Sequence, residues 1–147
     1  MYKWLSLVSL TLIFAACDSG EIAEQVQEEV VDYAALLEDS SWELVDIVVL
    51  GGFVFEPEVS SDYTIRFRPE NRFTGKSDCN TLTGNWQVAE DLTITGFNST
   101  RSMCPPGSLH NYFSLYLRDV VSMELEGESL TLRTTTEGVT LQFQPGA

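Results

Sequence analysis

The sequence predicts a mainly β fold with one helix, arranged as a small antiparallel barrel or a strongly curled sheet. The helix would pack on one end or flank. Three observations carry this. Short apolar runs with period-two alternation recur from residue 42 to the C-terminus. Clusters of Gly, Pro, Asp and Asn punctuate them. Only the stretch after Pro105-Pro106-Gly107 shifts to helical spacing. Of the 147 residues, 44% are hydrophobic, enough for one domain plus appendages.

The first 17 residues stand apart. Lys3 supplies a positive start, and residues 5–14 form an apolar run too short to span a bilayer. Ala15-Ala16-Cys17 follows. This order resembles a bacterial lipoprotein signal peptide, with Cys17 lipidated as the mature N-terminus. Phe14 replaces the leucine usual three places before that cysteine. The bland alternative is an ordinary secretory signal with a chance cysteine. Two or three acyl chains on Cys17 would hold the protein stably on a membrane. The expected location is the bacterial cell envelope, facing the periplasm from the inner or outer membrane. Asp18 resembles the inner-membrane retention signal of enteric bacteria, a rule that does not extend to all bacteria.

Residues 18–41 read as an acidic flexible tether. They hold eight acidic residues and no Lys or Arg. Self-repulsion favours an extended coil. Its reach would be about 25–30 Å. Ile22, Val26 and Val30 recur at spacing four, which allows a transient helix at most.

The folded domain is expected over residues 42–147. Residues 42–49 read as a β-branched strand ended by Gly51-Gly52, and a loop containing Pro57 follows. Tyr63, Ile65 and Phe67 alternate with Thr64, Arg66 and Arg68. Pro69-Glu70-Asn71 turns this strand into a hairpin partner at 72–76. Further strands are expected at 84–88, 92–97, 122–125, 130–134 and 139–143. Ser108 is a candidate N-cap for the helix, whose stripe is Leu109, Tyr112, Phe113, Tyr116, Leu117 and Val120.

Composition excludes some functions. A formal net charge of -14 argues against nucleic acid and against anionic lipid as partners. Once Cys17 is assigned to lipid, Cys79 and Cys104 remain as a pair. In an exported chain they are expected to form a disulfide, with two free thiols as the alternative. With no CxxC and one histidine, no metal site is expected. A reactive Cys79 thiol, activated by Arg101, is a weaker option. His110 reads as a solvated or minor packing residue, since its sequence neighbours offer no nucleophile. No phosphate-binding glycine loop appears. The protein is therefore expected not to be an enzyme and to need no cofactor. Asn80 and Thr100 read first as turn-holding residues. The functional alternative is a ligand-contacting polar patch of Asp78, Asn80, Thr100 and Arg101.

The domain resembles the META domain, or HslJ-like, family. The resemblance rests on Trp42-x-Leu44, Tyr63-x-x-x-Phe67, Gly75, Cys79-Asn80-x-x-x-Gly84, Leu92-x-Ile94, Thr100-x-x-x-Cys104, Leu130-x-Leu132 and Leu141-x-Phe143. It spans residues 37–143. The cysteine-asparagine-glycine and threonine-cysteine portions are its specific part. Asp78 stands where the family usually has glycine. The resemblance implies a lipocalin-like barrel, a bacterial envelope location and an association with stress, and it supplies no active site. The expected function is a non-catalytic, membrane-anchored envelope lipoprotein, monomeric, working through contact with an unknown envelope protein. A small apolar ligand held as lipocalins hold theirs, and inhibition of a hydrolase, are the alternatives. Trp86, Phe67, Phe113, Phe143 and Ile94 look bulky enough to fill the interior, which favours the first reading.

Overall fold

The computed structural model describes residues 31–147. The signal segment, Cys17 and residues 18–30 of the tether lie outside the described residues. The elements run α1 (Tyr33–Leu37), β1 (Ser40–Val49), β2 (Phe53–Phe55), a 3-10 turn (Ser60–Asp62), β3 (Thr64–Arg68), β4 (Arg72–Lys76), β5 (Thr81–Val88), β6 (Leu92–Ser99), α2 (His110–Arg118), β7 (Val120–Glu126), β8 (Ser129–Thr134) and β9 (Thr140–Pro145).

All nine strands join one antiparallel sheet, in the order β6-β5-β4-β3-β1-β9-β8-β7, with β2 added on β1. The sheet curls until its end strands β6 and β7 come within 8 Å, Cα to Cα. This is the expected mainly β fold with one principal helix. The right-handed twist of paired strands produces such curling, which brings the two edge strands near each other without ladder pairing between them. The inward faces form one core in which Leu44, Ile65, Phe67, Phe113, Leu117, Leu130 and Leu141 are fully buried. Aromatic side chains interlock across it. Phe67 meets Trp86 edge to face at 5.4 Å, and Phe113 meets Tyr63 the same way at 5.4 Å.

Strand β1 sits at the centre of the sheet and changes phase midway. Trp42 and Leu44 point inward, and strict alternation would next bury Asp46. A bulge between Leu44 and Asp46, opposite Phe143 and Gln142 of β9, turns Ile47 inward instead. Asp46 stays half-buried with Oδ1 unpartnered among the described residues. Burial raises its carboxyl above the usual aspartate range, and the negative charge of Glu56 adds to that.

The tether boundary expected at residue 41 is corrected. Tyr33–Leu37 is helical, Asp32 caps it by accepting the Ala35 N–H at 3.1 Å, and Leu37 is fully buried in the core. Burying a leucine side chain contributes about 2 kcal/mol, enough to order this turn despite its acidic flanks. The loop expected after Gly51-Gly52 is also partly a strand. Both glycines hold left-handed φ, and β2 folds back on β1 with Val48 opposite Val54. Strands β5 and β6 extend beyond their expected limits, to Thr81 and Ser99. In the helix, Phe113 and Leu117 are buried as expected, whereas Tyr112 is 41% exposed and Val120 already belongs to β7. Tyr112 stacks instead between Phe55 and Tyr116.

Two glycines of the family-like pattern mark close backbone approaches. A Cβ on Gly75 would lie 2.8 Å from the carbonyl oxygen of Thr64. On Gly84, at a second bulge, it would lie 2.9 Å from the carbonyl oxygen of Thr95. Neither space admits a methyl group without backbone movement.

Candidate functional site

The chain between β4 and β5 turns tightly at 77–80. The Ser77 N–H donates to the carbonyl of Asn80 at 2.7 Å, and the Asn80 N–H donates to Ser77 Oγ at 3.0 Å. This delivers Cys79 to the segment that links β6 to α2. The sulfurs of Cys79 and Cys104 are bonded at 2.05 Å, with their Cα atoms 5.2 Å apart. Asp78 keeps a negative φ, so the turn does not require glycine there.

Asn80 organises the corner. Its Oδ1 accepts from Thr100 Oγ1 at 2.8 Å and from the Ser102 N–H at 2.7 Å. Its Nδ2 donates to the Ser102 carbonyl at 3.2 Å and faces both disulfide sulfurs at 3.3 Å. The Thr100 hydroxyl in turn accepts the Thr81 N–H at 3.0 Å. Asn80 is buried, so these bonds replace its contacts with water. The turn-holding expectation for Asn80 and Thr100 thus understates their reach, since they join two segments about 20 residues apart.

The expected patch divides. Asn80, Thr100 and Arg101 line a groove of about 420 Å³ that also reaches Cys104 and His110. Asp78 lines a neighbouring groove of about 280 Å³ with Tyr63 and the carboxylates Glu56, Glu58 and Asp62. Ser108 lies between the two and donates to Asp78 Oδ1 at 2.8 Å. Arg101 is exposed and takes no part in the ion pairs among the described residues, which are Arg72–Glu70 and Arg133–Glu124.

The helix start is held from two sides. Ser108 Oγ accepts the His110 N–H at 3.1 Å, one place earlier than an N-cap in the strict sense, which is Leu109. Tyr63 Oη accepts the Leu109 N–H at 2.8 Å. Burial raises the Tyr63 phenol above its ordinary range, with the bonds from Ser108 and Leu109 opposing.

His110 is the residue that sequence reasoning missed. It is buried, and its Nδ1 lies 2.9 Å from Ser77 Oγ. A ring nitrogen and both disulfide sulfurs lie within 4.8 Å of one another. Burial pushes the imidazole below its ordinary range, while the Asp78 charge pulls it upward. The expectation of a solvated or minor packing histidine is therefore corrected. The fold, closing through β4, β5 and the segment before α2, supplies partners that lie 33 and 31 places away for Ser77 and Cys79.

The fold and this corner define a small curled β module stapled beside its principal helix. Residues 35–147 match the META domain, and the chain belongs to the META domain family. Among solved structures it is similar to a protein from Burkholderia xenovorans determined by NMR. That pair shares 20% identity over 78% of this chain and 86% of the other, with a TM-score of 0.66. It is also similar to a DUF4847 family protein from Bacteroides vulgatus ATCC 8482, with 18% identity over 76% and 96% of the two chains and a TM-score of 0.57. A third structure, also by NMR, shares 26% identity over 76% and 92%, with a TM-score of 0.56. No curated protein matches the chain.

Proposed function

We propose that this META domain protein is a non-catalytic envelope lipoprotein, anchored through Cys17, that acts by presenting its surface to other envelope proteins under stress. One observation carries the reading. The interior is occupied by its own side chains, with Phe67, Phe73, Phe113 and Phe143 at most 1% exposed. Such packing leaves the outer surface as the place of contact. The same packing weighs against an apolar ligand held inside in the lipocalin manner. The polar patch points the same way, because Asn80 and Thr100 direct their hydrogen bonds at each other and at the backbone.

The test is made in a bacterium with two membranes. The full chain is expressed with a labelled fatty acid and with a photo-crosslinking residue at exposed sites such as Leu50 or Leu115. Lipid label should enter the membrane-bound chain and disappear with Cys17→Ser. Illumination should give discrete protein adducts. An unlabelled soluble chain would refute the anchor, and a labelled chain without adducts would refute the contact role.

A further inference from the structure

The disulfide corner has the makings of a second state. We propose that, once Cys79–Cys104 is reduced, the two thiolates and His110 form a binding site for one soft d10 divalent cation of the Zn2+ or Cd2+ type. The staple is then a redox gate on that site. The inference goes beyond the surface-contact reading and does not depend on the anchor.

The donor set is the first argument. Two cysteines and one histidine with an open fourth position are a recognised zinc arrangement. A tetrahedral ion with bonds of about 2.3 Å to sulfur and 2.0 Å to nitrogen needs S···S near 3.8 Å and S···N near 3.5 Å. The ring nitrogen and the sulfurs already lie within 4.8 Å of one another. Freed of their bond, the sulfurs would separate by rotation about Cα–Cβ, their Cα atoms lying 5.2 Å apart.

The surroundings are the second argument. The amide of Asn80 faces both sulfurs at 3.3 Å and would donate to thiolates more strongly than to a neutral disulfide. Ser77 Oγ meets His110 Nδ1 at 2.9 Å and so fixes the plane of the ring beside the sulfurs. Both Cys104 and His110 open on the 420 Å³ groove, which gives an ion its entry path and a water its place at the fourth position. The Asn80 bonds to Thr100 and Ser102 do not involve the S–S bond, so they still hold the corner when it is broken.

The redox step balances with a dithiol as reductant. It delivers two electrons and two protons to the S–S bond, leaves as its own disulfide, and yields two thiols. Cation binding then displaces the two thiol protons, while the neutral imidazole gives up none.

The full chain carrying Cys17→Ser, kept in mild detergent, has thiols only at 79 and 104. It is reduced with a phosphine, desalted under argon and titrated with Cd2+ alone. The expected result is one Cd2+ per chain, a thiolate-to-metal absorption band, and a shift of the ring resonances of His110, the single histidine. The oxidised chain should show neither band nor shift. His110→Ala should weaken binding at least about tenfold, the scale on which even outer partners act. If that variant does not fold, the ring resonances of the unsubstituted His110 decide. Absence of binding by the reduced chain, a band with unmoved His110 resonances, equal binding by the oxidised chain, or unchanged affinity in His110→Ala would each overturn the proposal.

Discussion

Asn80→Ala tests whether the corner is held by a single side chain. The substitution removes three bonds to oxygen or backbone partners: from Thr100 Oγ1 at 2.8 Å, from the Ser102 N–H at 2.7 Å, and to the Ser102 carbonyl at 3.2 Å. At about 1 kcal/mol for each, the loss is about 3 kcal/mol. Ser102 is exposed, so water can recover part of its share. The net expectation is therefore about 2–3 kcal/mol. For a domain near this size that is about 10 °C in Tm. The assay is urea unfolding of the oxidised protein, with thermal melting beside it. Thr100→Val should cost about 1–2 kcal/mol, since it deletes the bond from the Thr81 N–H as well as the bond shared with Asn80, which alone is worth about 1 kcal/mol. A double-mutant cycle of the two should return a coupling near that value. A loss below about 1 kcal/mol for Asn80→Ala, or additivity within about 0.3 kcal/mol in the cycle, would refute the reasoning.

Four further outcomes follow from the packing and charge. Replacing both Cys79 and Cys104 by alanine should cost about 3.5 kcal/mol, from a loop closed across 25 residues, and should leave a folded protein by near-ultraviolet circular dichroism. Gly84→Ala should cost about 1–3 kcal/mol in urea unfolding, because the methyl group meets backbone at 2.9 Å. Gly107→Ala has open space and should lose only about 1 kcal/mol through its left-handed φ. Asp46→Asn should raise Tm at pH 7. Folding raises the Asp46 pKa, so the folded form binds its proton more tightly and its ionisation weakens stability as pH rises. The advantage of Asn should therefore shrink as pH falls through the raised value and vanish below the ordinary 3.8. A melting series across that range checks it.

The parts legible in the sequence are those where local pattern and burial agree. Tyr63, Ile65 and Phe67 alternate cleanly, and all three are buried. Glu70 and Asn71 take the left-handed φ that their hairpin requires. The parts that were not legible depend on distant chain. Phe53 and Val54 are exposed, so β2 carries no burial signal and exists through its partner β1. Leu37 sits in an acidic run whose average hides one well-packed residue. The phase change at Asp46 answers to Phe143 and Gln142, nearly a hundred residues away. At the candidate site, the cysteines and Asn80 stand out by type and spacing. The neighbours of His110 do not, because its ring meets Ser77 only after two strands and the loop before α2 have come together.

The pairing of β1 with β9 has a consequence for how the molecule is made. Trp42 lies opposite Pro145, and the Gly146 N–H donates to the Ser41 carbonyl at 2.8 Å. The central strand, already paired with β2 and β3 on one side, thus waits for residues 140–145 before its other flank is paired. A nascent or clipped chain lacking 140–147 would leave β1 and β8 each with a bare flank, and loop closure over such a separation is slow. The interval before β9 is in place is when stray strand pairing has its opening.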